Sequence, residues 1–154
     1  MSLLKGIPPQ FIPGSPYSPD IQLSETDEQP TDTISKISWG STSSRDPIFA
    51  TSNWDSHIRI YQVNVPDRTM TQKTSFSTGS PSLCVNWHPE MTRVFAGCAP
   101  NLVKEFDVET GKEIVIGRHK APIKDVYWLS STQTLCSISS DKTVKFWDVR
   151  QSDH

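Results

Sequence analysis

Three stretches of this 154-residue chain carry one pattern, and that repeat limits the fold more than any other feature. They are NWDSHIRIYQV at 53–63, CAPNLVKEFDV at 98–108 and SISSDKTVKFWDV at 137–149. Aligned on a tight turn, Asp55, Pro100 and Asp141 correspond. Three residues later come Ile58, Val103 and Val144, and six later Tyr61, Phe106 and Trp147; six residues earlier come Phe49, Val94 and Leu135. A second motif, I-x-x-[IV]-x-W, occurs as Ile34-Ile37-Trp39 and Ile123-Val126-Trp128, with Ser82-Val85-Trp87 as a weaker middle copy. The three tryptophans are 48 and 41 residues apart. A period of about 40–45 residues holding several short alternating strands is the mark of propeller blades rather than of a sandwich.

The expected class is therefore all-β, with three blades: 34–75, 76–117 and an incomplete 118–154. Inner strands are predicted near 34–39, 83–87 and 123–128, and second strands near 48–52, 93–97 and 134–138. Third strands follow near 57–62, 102–107 and 143–148, and outer ones at 69–75 and 113–116. VETGKE at 108–113 sets Gly111 where a hairpin turn needs positive φ. Tyr61, Phe106 and Trp147 are expected as aromatic plugs between neighbouring blades.

The N-terminal part has a different character. Six of the twelve prolines fall in the first 30 residues, and residues 1–33 carry one Lys against five acidic side chains. Residues 1–19 read as a Pro-rich disordered segment, and 20–33 as an acidic linker. Within the linker, DIQLS alternates Ile21 and Leu23 as an outer strand should. No cationic start precedes a short apolar run, which argues against a secretory signal, and no apolar stretch approaches the roughly 18 residues a membrane span needs. Overall, 34% hydrophobic and 21% charged residues with a net charge of −2 suit a globular chain.

Composition also narrows the chemistry. Cys84, Cys98 and Cys136 are odd in number and lack ligand spacing, so reduced, half-buried thiols in an intracellular protein are expected rather than a disulfide or zinc site. His57, His88, His119 and His154 are scattered, and no metal or other cofactor is implied. Blade three holds His119, Ser137 and Asp141, on paper a hydrolase set. The Ser lies on a strand, however, without a G-x-S-x-G elbow or an oxyanion hole, so no enzyme is expected. The blade region has a net charge of +2, and its basic residues Lys104, Lys124 and Lys145 sit singly, without interleaved aromatics. Direct RNA binding is expected to be weak or absent.

The order His119, Ser137, Asp141, Trp147 resembles the WD40 repeat, whose His, Ser/Thr, Asp and Trp form a buried structural tetrad. Blade one keeps Thr51 and Asp55, with Tyr61 for the Trp; blade two, with Thr78, Ala96, Pro100 and Phe106, has lost the set. SNWDSHIRIYQV, HKAPIKDVYW and SDKTVKFWDVR, with SPDIQLSETDEQPTDTISKISW, further resemble the nuclear-pore-associated messenger-RNA export factor family over residues 19–150. A spindle-checkpoint WD40 relative shares the S-x-W-D and H-x-A-P-[IV]-K motifs. Departures are Pro100 in place of the turn Asp and Ser140 where the family usually has Trp.

The resemblance implies a protein-binding scaffold in mRNA export at the nuclear pore, docking a Glu-rich (GLEBS-type) motif of an FG nucleoporin on the blades' top face. The alternatives are a checkpoint adaptor for a kinetochore kinase and a generic adaptor such as a ubiquitin-ligase substrate receptor; mRNP components are further partners. It implies the nucleus, nuclear envelope and pore complex, with some cytoplasmic pool, and no membrane insertion. Trp54 is the leading contact candidate, the alternative being that it caps its own blade edge. Asn101, Ser140 and Lys142 are neighbours on the same rim. By the same resemblance, 20–24 would be the strand that latches a ring of seven blades. Three blades alone lead one to expect a fragment of a longer protein that associates rather than standing as a stable monomer.

Overall fold

The structure, a computed structural model, describes residues 28–40 and 47–151. The Pro-rich segment 1–19 and the expected strand at 20–24 lie outside the described residues. The strands are β1 (Ile34–Trp39), β2 (Ile48–Asn53), β3 (His57–Asn64), β4 (Thr69–Ser77), β5 (Ser82–Trp87), β6 (Arg93–Cys98), β7 (Leu102–Asp107), β8 (Glu113–Arg118), β9 (Ile123–Leu129), β10 (Thr134–Ser139) and β11 (Val144–Trp147). They form three antiparallel meanders: β1-β2-β3-β4, β5-β6-β7-β8 and β9-β10-β11. The turns that reverse the chain use left-handed residues where the sequence permits them. Ser56 (φ 66°) and Lys142 (φ 67°) each directly follow the turn Asp, and Gly111 (φ 70°) closes β7 onto β8.

Period-2 alternation gives every sheet two distinct faces. One carries the inner-strand tryptophan. In the second sheet this tryptophan face is built from Trp87, Val94 and Phe106 in one row and Val85 and Ala96 in the next. It packs on the opposite face of the first sheet, through Ala50, Ile58, Ile60 and Phe76, as one buried cluster. The third sheet repeats the arrangement. Val126, Trp128 and Leu135, with Ile123 and Trp147, pack on Cys84, Phe95 and Val103 of the second sheet. The core is thus two interfaces, each a tryptophan face seated on an opposite face.

Aromatic residues of the third strands contribute to both interfaces. Phe106 stacks on Phe76 of the preceding sheet with ring centroids 6.0 Å apart. Trp147 lies flat on the backbone of β8: a Cβ placed on Gly117 would come within 2.3 Å of its ring. Tyr61 differs from the expectation of an inter-blade plug. It stacks on Phe49 of its own sheet at 5.2 Å and is 2% exposed.

Backbone groups stitch the sheets together. The Trp87 indole N–H donates to Ser38 O (3.0 Å), and the Trp128 amide donates to Asn86 Oδ1 (3.1 Å). The Ser35 hydroxyl donates to Ser82 O at 2.6 Å. Lys36 of the first sheet and Asp125 of the third form an ion pair along the inner strands.

Gly117→Ala should destabilise the protein by about 1–3 kcal/mol, since overpacking would force Trp147 off its seat. Denaturant titration of the variant measures this, and an unchanged midpoint would remove the Trp147–Gly117 contact from the account of the core.

Candidate functional site

The β2–β3, β6–β7 and β10–β11 turns lie at the same end of the three sheets, because each pair of strands has the same register. One hydrogen bond fixes each turn to the strand lead-in before it: Trp54 N–H to Thr33 O (2.8 Å), Ala99 N–H to Pro81 O (2.8 Å) and Ser140 N–H to Pro122 O (3.0 Å). Trp54, Ala99 and Ser140 are therefore equivalent positions on one rim. Only Trp54 is large, and its side chain is 50% exposed. Ser140 and Lys142 are exposed on the same rim. Asn101, half-buried on the β6–β7 turn, donates its amide to His119 O, which ties the rim to the third sheet.

Below the rim in the third sheet, His119, Ser137, Asp141 and Trp147 form one chain of hydrogen bonds. The Trp147 indole, a donor only, reaches Ser137 Oγ at 2.8 Å. The Ser137 hydroxyl meets His119 Nε2 at 2.8 Å, and His119 Nδ1 meets Asp141 Oδ2 at 3.0 Å. Trp147 donates to Ser137, and the serine hydroxyl, both His119 ring nitrogens and the Asp141 carboxylate complete the chain, so every member has a partner. Asp141 also accepts from the Thr143 hydroxyl (2.6 Å) and the Lys120 amide (2.8 Å). These two donors, with His119 helping and burial opposing, hold its carboxyl well below the usual carboxylate range.

The same distances describe what this group cannot do. Ser137 is 1% exposed, and its oxygen already accepts from Trp147, so no substrate carbonyl has an approach to it. Among the described residues, no group of three or more His, Cys, Asp or Glu could hold a metal ion. Nor is any helix long and apolar enough to cross a membrane. Cys84 and Cys98 are fully buried rather than half-buried, and burial pushes their thiols up to about 12 and about 11, which suppresses thiolate chemistry.

The other two sheets fill the equivalent polar space with charge. In the first, Arg59 is fully buried and meets Asp55 at 2.8 Å. Burial pushes the Asp55 carboxyl up, but the Thr31 amide, Arg59 and His57 together outweigh it and hold the pKa below its ordinary value. In the second, buried Lys104 donates to Thr78 O (2.9 Å) and pairs with Glu113 (2.7 Å). Sequence reasoning missed this role. Its signal was a cation four residues after each turn position, at Arg59, Lys104 and Lys145. Lys145 is likewise engaged, with Arg118 O at 2.7 Å and over the Trp147 ring. Of the three lysines considered for RNA contact, only Lys124 is exposed. At the opposite end from the rim, a cavity of about 410 Å³ is lined by the three inner-strand tryptophans with His88, Met91 and Tyr127.

His119→Ala should lower stability by about 1–3 kcal/mol from the stranded Ser137 hydroxyl alone, read by thermal or chemical unfolding. Asp141 adds a pH signature. Its folded pKa lies below the unfolded value of about 3.9, so its contribution is present above that pH and is lost as pH falls through the folded pKa. Asp141→Asn should therefore flatten the loss of stability below about pH 4. An unaltered acid limb would remove Asp141 as its source.

Comparison with known proteins agrees with this geometry. The family "WD domain, G-beta repeat" matches residues 112–148, from the end of the second sheet through the third. The chain is 33% identical over 131 residues to the poly(A)+ RNA export protein of Schizosaccharomyces pombe, covering 83% of this chain and 36% of that protein. It is 29% identical over 126 residues to the mRNA export factor rae-1 of Caenorhabditis elegans, covering 80% and 34% respectively. The WD40 repeat protein poxJ of Penicillium oxalicum is 30% identical over 141 residues, covering 88% and 39%. The chain thus spans little more than a third of the length of these curated relatives. With its three tandem antiparallel meanders, two of four strands and one of three, and its His-Ser-Asp-Trp chain, it is a WD40-repeat protein of β-propeller blades that resembles the messenger-RNA export factors over most of its length.

Proposed function

We propose that these blades are part of a protein-binding scaffold in messenger-RNA export, with the rim around Trp54 docking a Glu-rich segment of an FG nucleoporin. One observation carries the docking: a half-exposed indole stands on a turn fixed by its own backbone, where the neighbouring blades have Ala99 and Ser140. A large aromatic held in this way contributes contact area at little conformational cost, the usual property of a binding hot spot. Lys142, exposed at the equivalent turn of the third blade, offers a cation to an acidic ligand, and Ser140 a hydroxyl beside it. Asn101 supports the rim between them. The export role is supported by the mRNA export factor and the poly(A)+ RNA export protein that align with most of the chain.

On this reading the chain acts at the nuclear envelope and pore, with a cytoplasmic pool, as a scaffold and not as a catalyst. RNA contact is indirect, because Lys104 and Lys145 are engaged within the blades. Trp54→Ala should weaken binding of a synthetic Glu-rich nucleoporin peptide by about 30-fold, corresponding to about 2 kcal/mol, without lowering the melting temperature. Isothermal calorimetry on the full chain reads both the affinity and its loss. Equal affinity for the two proteins would defeat the assignment of Trp54. Recovery of a kinetochore kinase or a ligase subunit from extract, without a nucleoporin, would defeat the export reading.

A further inference from the structure

Two of the three rim turns are clamped to their strand lead-in at two points. In the third sheet the Ser140 amide donates to Pro122 O (3.0 Å), while the Lys120 amide donates to Asp141 Oδ2 (2.8 Å). In the first sheet the Trp54 amide donates to Thr33 O (2.8 Å), and the Thr31 amide donates to Asp55 Oδ2 (3.1 Å). The second sheet has Pro100 in place of the turn Asp, so its turn lacks the carboxylate that accepts the second bond. The two clamps differ in what backs the carboxylate. Behind Asp141 stands His119; behind Asp55 stands Arg59, whose Nη1 lies 2.8 Å from Oδ2 and 3.0 Å from Oδ1. The His57 amide also donates to Oδ1 (3.2 Å), so the Asp55 carboxylate is held from β3 and from the lead-in at once. They differ too in what they hold: a serine in the third sheet, a half-exposed indole in the first.

We propose that lead-in residues 31–33, bonded to the turn through Asp55 and backed by Arg59, position Trp54, so that seating of the lead-in and docking of the acidic peptide reinforce each other. This rests on the docking reading and deepens it by naming what controls the site. Trp54 and Asp55 are consecutive, and each is bonded to the lead-in, so the backbone that carries the indole moves only if one of those bonds breaks. Arg59 contributes in two ways. It holds the carboxylate where the Thr31 amide meets it, and it offsets a negative charge one residue from Trp54 that would otherwise repel a Glu-rich ligand. The lead-in itself is exposed at residues 31–33, and exposed segments open locally at low free-energy cost. A weakly held strap joined to a hot spot is a point of control. Whatever loosens the strap frees the indole, and by linkage whatever docks on the indole tightens the strap by the same factor.

Fluorine NMR of the full chain labelled with fluorotryptophan reads the pose of Trp54 without a ligand. The chain's five tryptophans give five signals, and the one missing from Trp54→Phe belongs to Trp54. Thr31→Pro removes the amide N–H that meets Asp55, at an exposed position, and leaves Arg59 and Trp54 in place. It should shift or broaden the Trp54 signal and leave the unfolding midpoint unchanged. It should also weaken binding of a synthetic Glu-rich peptide by about tenfold, within the roughly 5- to 150-fold range of coupled sites. Hydrogen exchange on the unsubstituted chain gives a second reading that needs no variant: saturating peptide should slow exchange of the Thr31 and Trp54 amides together. A Trp54 signal unmoved by Thr31→Pro overturns the proposal, and so does a moved signal with undiminished peptide affinity. Peptide that protects the Trp54 amide but not the Thr31 amide overturns it as well, and this result decides the matter if Thr31→Pro fails to fold. If the unsubstituted chain does not bind the peptide, the docking reading falls, and the fluorine signal alone decides whether the lead-in positions Trp54.

Discussion

A sheet of three or four short strands with apolar residues on both faces keeps both dry only when each is covered by another layer, and here the layers are other sheets. That constraint organises this molecule. The second sheet satisfies it fully, burying Val85, Trp87 and Phe106 on one side and Phe95 and Val103 on the other. The third buries its tryptophan face, and the first buries Phe49, Thr51, Arg59 and Tyr61 beside an exposed Ile37 and Trp39. Tight turns, inner-strand tryptophans and a flat Gly117 backbone all serve this stacking. The rim exists because stacking brings equivalent turns to one end. Function on such a scaffold is carried by side chains that stacking does not use, and Trp54 is one of them.

Much of the fold was legible because alternation and recurrence reinforce each other. A single apolar-polar run can be read as many things, but Phe49, Val94 and Leu135 recurring six residues before three turns cannot. The strand limits differ from the expected ones mainly at free ends. β4 runs on to Ser77 and β8 to Arg118, where pairing with β3 and β7 continues past the apolar signal. The side-on partner of Tyr61 was not legible. Whether an aromatic meets its own sheet or the next depends on which sheet is present, and no local pattern encodes that.

The site was legible in part, for a physical reason. His119, Ser137, Asp141 and Trp147 announce themselves because each has a distinctive hydrogen-bonding capacity, and only one arrangement satisfies all four. Asn101 was legible only as a turn residue, not in its bond to the next sheet. From sequence it is a polar turn residue on an exposed rim, whereas in the fold its amide is needed by the carbonyl of His119. Arg59 and Lys104 were overlooked because a cation on a strand normally lies in solvent. Their burial is visible only once a blade closes over them, and only their shared place in the repeat hinted at it.

Those two cations bear on how a chain of near-copies avoids assembling in the wrong order. Strands that look alike invite exchange: β7 could zip to β4 as readily as to β8 if apolar pattern were all that mattered. In the correct sheet Glu113 lies opposite Phe106 and reaches Lys104; in the exchanged one the corresponding place, opposite Tyr61 in the native first sheet, belongs to Gln72. The Lys104 ammonium would then face an amide instead of a carboxylate, a loss smaller than that of a fully buried pair because Glu113 reaches solvent. Each blade thus carries its own polar key: a buried guanidinium–carboxylate pair in the first, an ammonium–carboxylate pair in the second and the His119–Ser137–Asp141 relay in the third. Misthreading of repeats is a characteristic hazard of such chains. Here charge adds to shape in favouring the native pairing.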